Sequence, residues 1–280
     1  MQPTREFKIP NLIVTASVQT DAGCVRETNE DNGRHIIPFA DEIQKQRGML
    51  TIVADGMGGH SSGEVASEMA VELISKFYYE DESASSAKAL EKAIEQASRQ
   101  IYQTSISDEK YFGMGTTVVA LVILNNTAFS AHVGDSRLYR LRGYEMELLT
   151  MDHSQVMEMV QQGIISMEEA QNHDDKNVIL RAVGTQNTVQ VEVSKPFDIE
   201  DADEFLLCSD GLSDMVTDTE IVQVWFGAKN IHTAVEKLID LAKQNGGHDN
   251  VTVGIVKVSA ENKVEKSKTV SITREIEVSQ

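Results

Sequence analysis

Apolar residues along the chain follow two rhythms. Short runs rich in Val, Ile, Leu and Thr, bounded by Gly, Asp or Asn, predict strands over Leu50 to Ala54, Thr116 to Leu124, Phe129 to Val133, Phe205 to Ser209 and Val251 to Val258. In the third run Phe129, Ala131 and Val133 alternate onto one face, the pattern of a half-buried strand. Elsewhere the period is helical. Val65, Met69, Leu73 and Phe77 form one stripe, with Ser61 or Ser62 available as its cap. Leu90, Ile94, Ala97 and Ile101 form a second, and Val235, Leu238, Ile239 and Ala242 a third, closed by Gly246-Gly247. Stripes of this kind are core faces. Strands with sheet-packing helices between them predict an α+β layered sandwich rather than a βαβ repeat.

Two stretches break the pattern. Asp152 to His173 is polar, contains methionine and reads as partly helical; lying between β segments, it is expected to form a mobile, flap-like segment over about 152–176. Residues 260–280 alternate charge with Ser and Thr and lack apolar period, so a loosely ordered tail is expected after one domain spanning 1–259.

Composition narrows the function. Lys and Arg number 25 against 44 Asp and Glu, a formal charge of −19. Such a chain repels nucleic acid and anionic membrane, since phosphate contacts need clustered positive charge. Two cysteines, Cys24 and Cys208, are too few for a disulfide framework and fit a reducing cytosol. The N-terminal residues lack the pattern of a signal peptide, and the longest apolar run, Val118 to Leu124, falls far short of the ~20 residues of a membrane helix. A cytoplasmic protein is expected.

The candidate chemistry lies where apolar runs end. Asp55 closes TIVADG, Asp135 closes AHVGDS, Asp210 closes LLCSDG, and Asp249 precedes VTV in GGHDNVTV. A single Asp-Gly is an ordinary turn signal. Four carboxylates at strand ends would converge on one side of a sandwich, where they repel unless cations sit among them. Oxygen ligands favour hard ions such as Mg²⁺, Mn²⁺ or Ca²⁺. The sequence has no HExxH, no Cys-x-x-Cys and no GxxxxGK[ST], which argues against zinc sites and a P-loop. Cys24 lacks an anion-binding loop and Cys208 lies inside an apolar strand, which argues against a cysteine nucleophile.

DAGCVRETNEDN (21–32), VADGMGGH (53–60), GMGTT (113–117), AHVGDSRLYRLR (131–142), DHS (152–154), LLCSDGLSDMV (206–216) and GGHDNVTV (246–253) occur in that order. Over roughly residues 13 to 258 this set resembles the metal-dependent protein phosphatases of type 2C, in their compact bacterial form. The resemblance implies a four-layer α-β-β-α sandwich, with two central, mainly antiparallel sheets and a two-metal centre at one end. It implies hydrolysis of protein phosphoserine and phosphothreonine by a water between two Mg²⁺ or Mn²⁺ ions. Asp55 would bridge the ions, the Gly56 carbonyl would bind one, and Asp210 and Asp249 the other. Asp135 would hold a weaker third ion with Asp210, supported by Asp214. Glu30 and Asp31 would hold metal-bound waters, Asn250 would brace the loop carrying Asp249, and Arg26 would grip the phosphate. Phosphorylated proteins, and a serine/threonine kinase opposed by the enzyme, are the implied partners. Two departures stand out: Met57 occupies the place of a histidine proposed as general acid in some relatives, a role not passed to His60, and HDDKNVILRAVG (173–184) lacks the motif's customary proline and arginine. The competing readings are a non-catalytic phosphoprotein-binding scaffold, a phosphatase of small metabolites and a calcium-binding adhesive sandwich. The retained carboxylates argue against the first, and Arg26 with the ordered motifs against the last.

Overall fold

The computed structural model describes residues 6–58 and 62–261. His60 and Ser61, and all but the first two residues of the expected tail, lie outside the described residues.

Each long apolar run forms a strand whose alternate side chains serve two different layers. In β4 (Met49–Met57), Leu50, Ile52 and Ala54 join a helix-covered cluster, while Met49 and Val53 face the opposite sheet. In β6 (Val118–Leu124), Val118, Ala120 and Val122 take the helix side and Val119, Leu121 and Ile123 the sheet side. The period is two on both faces, so the sequence reads as an unbroken apolar run.

Among the described residues the strands form two sheets. One runs β1 (Glu6–Ile9), β2 (Leu12–Asp21), β13 (Val251–Ala260), β12 (Glu204–Cys208), β8 (Arg137–Arg142), β9 (Glu145–Leu148). The other runs β10 (Glu192–Val193), β7 (Thr127–Val133), β6, β4, β3 (Asp31–Ile36), with β11 (Phe197–Asp198) on β7 and β5 (Gly115–Thr116) on β4. Every pairing is antiparallel. The long helices α2 (Ser62–Glu80) and α3 (Ser86–Ser107) cover the second sheet, with α1 (Asp41–Arg47) at its edge. The first sheet is covered by α6 (Asp210–Ser213), α7 (Asp218–Gly227) and α8 (Ile231–Gln244). Between β9 and β10 in the chain lie the short helices α4 (Gln155–Gln161) and α5 (Met167–Gln171), in the segment expected to form the flap. The expected four-layer α-β-β-α sandwich is the observed one.

The second and third helical stripes are core faces as expected: Leu90, Ile94, Ala97 and Ile101 on α3, and Val235, Leu238, Ile239 and Ala242 on α8, are all buried. The first stripe is displaced. Val65, Met69, Leu73 and Phe77 are half-buried at the margin of the core, and the fully packed face of α2 is Gly63, Ala66, Ser67, Ala70, Val71, Ile74 and Tyr78. Small side chains in the first half of the helix let its axis approach the sheet, and Ile74 and Tyr78 fill the space further along. The run from Thr116 to Leu124 is divided: Thr116 belongs to β5, and Thr117 lies between β5 and β6. β7 is buried on both faces from Ala128 to Val133, not on one, because Ala128 meets the opposite sheet while Phe129, Ala131 and Val133 meet the helices. β12 stops at Cys208, and Ser209 caps α6. β13 extends through Ala260, one residue past the expected domain boundary.

Candidate metal centre

Strand register brings the aspartates to one end of the sandwich. Asp31, at the start of β3, is the antiparallel partner of Asp55 near the end of β4. Cys208, the last residue of β12, pairs with both Arg137 of β8 and Val253 of β13. Asp135 before β8, Asp210 after β12 and Asp249 before β13 therefore leave the other sheet on the same side. Ser209 stitches the sheets together there. Its hydroxyl donates to Asp31 Oδ2 at 2.7 Å and accepts the Thr252 N–H at 2.9 Å.

The carboxyls are close enough to govern one another's charge. Asp55 and Asp210 lie within each other's electrostatic reach. Burial, reinforced by the charges of Asp31, Asp210 and Asp135, holds the Asp55 carboxyl well above the usual range. Burial pushes Asp31 up to about 7, with Asp210 and Asp249 adding to the effect. Asp135 rises to about 8 through burial, then Asp210 and Asp152. Asp210 rises to about 6 through burial, then Asp214 and Asp249. Asp31 Oδ1, Asp135 Oδ1 and Asp210 Oδ1 are buried without a hydrogen-bond partner. Orphaned carboxylate oxygens of this kind cost free energy unless a cation takes them. The donors are all oxygen, so the set fits hard divalent ions and not zinc or a soft metal.

The flanking residues are held by specific bonds. Gly56 donates its N–H to Glu30 O at 3.1 Å. A Cβ on Gly56 would lie 2.2 Å from Gly63 O and 2.4 Å from Glu30 O, so only glycine fits. The Glu30 carboxyl, beside Gly63 at the start of α2, is raised chiefly by burial. Asn250 is buried and makes three bonds: it accepts the Glu30 N–H at 2.7 Å and donates to Ala22 O at 3.0 Å and Thr28 O at 2.9 Å. Its bracing therefore acts on the 22–30 loop that carries Arg26 and Glu30; towards Asp249 it offers its backbone N–H, to Oδ1 at 2.8 Å. Arg26 is half-exposed and pairs with Asp249 Oδ2 at 2.8 Å. Asp214 stands at the outer margin and pairs with Lys176 at 2.7 Å.

Several neighbours of the site were not singled out by sequence reasoning. Thr117 and Ser136 share a hydrogen bond at 2.7 Å, and Thr117 Oγ1 also accepts the Asp55 N–H at 3.0 Å. Arg137 grips Asp152 with two nitrogens, Nη2 at 2.7 Å and Nε at 3.0 Å. His153 clamps the turn before Asp135: its N–H donates to Gly134 O at 2.9 Å and its Nδ1 accepts the Gly134 N–H at 3.1 Å. The signal for the last two was the DHS motif itself, two buriable charged groups at the edge of the flap.

His153 also stacks on His132, with ring centroids 4.6 Å apart, and its Nε2 lies 3.3 Å from Glu192 Oε2. One ligand atom from each of these three residues falls within 4.8 Å of the others. The hydrogen bonds nevertheless speak against a cation there. With Nδ1 accepting from Gly134, the neutral ring carries its proton on Nε2, the atom a metal would need. The Arg181 guanidinium stands 3.3 Å from the same nitrogen, and its permanent charge repels a second cation. The cluster is a brace for the turn that presents Asp135.

The protein phosphatase 2C family model matches residues 37–252. The serine/threonine phosphatase stp of Listeria monocytogenes is 40% identical over 246 residues, covering 86% of this chain and 94% of its own. The crystal structure of the Mycobacterium tuberculosis serine/threonine phosphatase PstP/Ppp superposes with a TM-score of 0.77 at 33% identity, covering 88% of this chain and 99% of that one. A structure of the catalytic domain of the serine threonine protein phosphatase PstP in complex with two manganese ions gives a TM-score of 0.74 at 32% identity, over 89% of this chain and 99% of that one. By sequence and fold alike, the chain belongs to the protein phosphatase 2C family and is an enzyme of that family, a protein-serine/threonine phosphatase.

Proposed function

We propose that Asp55, the Gly56 carbonyl, Asp210 and Asp249 hold two divalent ions, Mg²⁺ or Mn²⁺, and that Asp135 with Asp210 takes a weaker third. The observation that carries this is the trio of buried, unpartnered oxygens on Asp31, Asp135 and Asp210. The relative containing two manganese ions supports the stoichiometry of the tight pair. When bound, the ions supply an acidified water and neutralise charge on the phosphoryl oxygens.

The protein's own groups orient the reaction. Asp249 has one oxygen on the Asn250 N–H and the other on Arg26. Asp249 Oδ2 would serve either Arg26 or a bound ion, and an Arg26 released from Asp249 would present its planar fork to a phosphate. Arg26 sits on an exposed loop, so it can swing to a phosphorylated side chain presented by a protein surface. Glu30 and Asp31 hold water at the site, Asp31 being fixed by Ser209. Asp214 supports the outer corner. Met57 offers no proton, so the leaving group takes its proton from water.

The substrates are phosphoproteins, supplied by a serine/threonine kinase. The cytoplasm fits two free cysteines, and no helix among the described residues is long and apolar enough to cross a membrane. We assign the catalytic domain to 1–259, with β13 carrying it one residue further to Ala260, and the 152–176 segment as its flap.

The test is turnover of a phosphothreonine peptide and of p-nitrophenyl phosphate with Mn²⁺. Asp55→Asn and Asp210→Asn are expected to abolish turnover with the fold retained by circular dichroism, and Arg26→Ala to raise KM more than it lowers kcat. Full activity in excess EDTA would refute the reading.

A further inference from the structure

The outward face of α2 carries an unbalanced charge that begins beside the metal centre. The exposed positions of the helix are Glu64, Glu68, Glu72, Lys76 and Glu80, spaced four residues apart. The helix starts against the site: a Cβ on Gly63 would meet the Glu30 carboxyl at 2.8 Å, and the Glu64 charge reaches Glu30. Among the described residues, Glu64, Glu68 and Glu72 make no ion pair and no hydrogen bond through their carboxylates. Neither Lys76 at the next turn nor Arg34 on the edge strand β3 pairs with them. Glu27, next to Arg26, is exposed and likewise without a partner, whereas Arg26 and Lys176 are engaged by Asp249 and Asp214. The charge left uncompensated on this side of the site is negative.

Like charges at i and i+4 repel across a helix face, so the stripe raises the energy of α2 until an outside cation lies on it. Its spacing suits a polypeptide. Four helical residues rise about 6 Å, and two residues of extended chain span about 6.6 Å. Alternate side chains of an extended segment point the same way, so a Lys-x-Lys-x-Lys run meets Glu64, Glu68 and Glu72 in register. A single metal ion does not fit, because carboxylates so spaced stand about 6 Å apart at Cβ and face water. Nucleic acid and anionic lipid are repelled by the same charge.

Resting on the metal-centre reading above, we propose that the Glu64–Glu68–Glu72 face docks a lysine- or arginine-bearing segment of the phosphoprotein, adjoining the phosphorylated residue. The segment runs out from the metal centre along α2, and the enzyme thereby selects basic phosphoproteins. Selection acts on capture and not on the chemical step. The flanking charges lie away from the reacting atoms and attract substrate and transition state alike, so KM moves and kcat does not. The attraction also speeds encounter and fades with salt.

The experiment uses the full chain with Mn²⁺, p-nitrophenyl phosphate and two kinds of phosphothreonine peptide. The peptides differ only in carrying Lys-x-Lys-x-Lys or Glu-x-Glu-x-Glu beside the phosphoresidue, and each is made with the run on either side. At low salt the better lysine peptide is expected to exceed its glutamate counterpart about five-fold in kcat/KM, the worth of two or three exposed ion pairs. The difference lies in KM and shrinks to within about two-fold in ~0.5 M salt. Glu68→Gln combined with Glu72→Gln keeps Glu64, which complements the helix N-terminus, and should lose most of the preference while turning over p-nitrophenyl phosphate as wild type does. Glu68→Lys combined with Glu72→Lys should favour the glutamate peptide. Equal kcat/KM for the two peptides in the wild type, or a preference that survives in the double glutamine variant, would overturn the inference. A wild type that fails to turn over p-nitrophenyl phosphate with Mn²⁺ would overturn the metal-centre reading instead. Fluorescence anisotropy of the labelled lysine peptide on wild type and variant would then still decide the docking, equal affinities refuting it.

Discussion

Replacing Asn250 by alanine isolates one device that builds the site. The side chain joins three backbone groups of the 22–30 loop: Glu30 N–H, Ala22 O and Thr28 O. A net hydrogen bond is worth about 1 kcal/mol, so their joint loss costs about 3 kcal/mol if the groups stay buried. The loop's outer residues, Cys24 to Thr28, are exposed, so water can reach part of it once it loosens. The expected destabilisation is therefore about 2–3 kcal/mol, or a fall in Tm of about 5–10 °C for a domain of this size. The same loop carries Arg26 and Glu30, so the loss extends to phosphate binding. Asn250→Ala should raise KM for p-nitrophenyl phosphate more than it lowers kcat, and should raise hydrogen exchange across 22–30. Asn250→Asp keeps the acceptor for Glu30 N–H but gives up both donors, and should fall between alanine and wild type in the exchange assay. A variant whose Tm moved by less than about 1 °C, with KM unchanged, would refute the claim that these bonds hold the loop.

Three further outcomes follow from the same geometry. Gly56→Ala forces a methyl group against two backbone carbonyls and should cost about 3 kcal/mol or more, read as loss of Tm and of Mn²⁺ binding; a well-folded, metal-loaded variant would contradict the packing. The raised carboxyls of Asp210, Asp31 and Asp135, at about 6, 7 and 8, keep protons in the folded state that the unfolded chain has already released. Metal-free protein should therefore lose stability as pH rises from about 4 to 8, and Mn²⁺ should restore more of it at pH 8 than at pH 5; a metal-free Tm that climbs across this window would sink the argument. Cys24 is exposed, whereas burial pushes the Cys208 thiol up to about 12, so a thiol reagent should label one cysteine in the native enzyme and both only after unfolding.

The parts of the site legible in the sequence were those with a local signature. An aspartate closing an apolar run is visible in a window of six residues, and Asp55, Asp135 and Asp210 were found that way. Their convergence was an inference from the class of fold, and it holds because Cys208 pairs with both Arg137 and Val253, a register no local window contains. The same limit explains what was missed. Ser209 and Asp31 lie 178 residues apart, so nothing near either announces their hydrogen bond. On α2 the stripe of large residues marks the margin of the core face rather than its centre, because a hydrophobicity pattern favours bulk while the helix meets the sheet partly through Gly63, Ala66 and Ala70.

These two kinds of feature play different parts in the chemistry. The carboxylates carry the charge, but their raised proton affinities would defeat cation binding if the groups could turn away and stay protonated. What denies them that freedom is neutral and invisible to a motif. Ser209 fixes one oxygen of Asp31, Thr117 holds the Asp55 backbone, and His153 clamps the turn before Asp135 on both its N–H and its carbonyl. On Asp31 and Asp135 the restraint leaves one carboxylate oxygen buried and bare. Repulsion among like charges is thus stored in the fold, and a divalent ion relieves it on entry. A family motif preserves the charges; the uncharged frame decides whether those charges make a site.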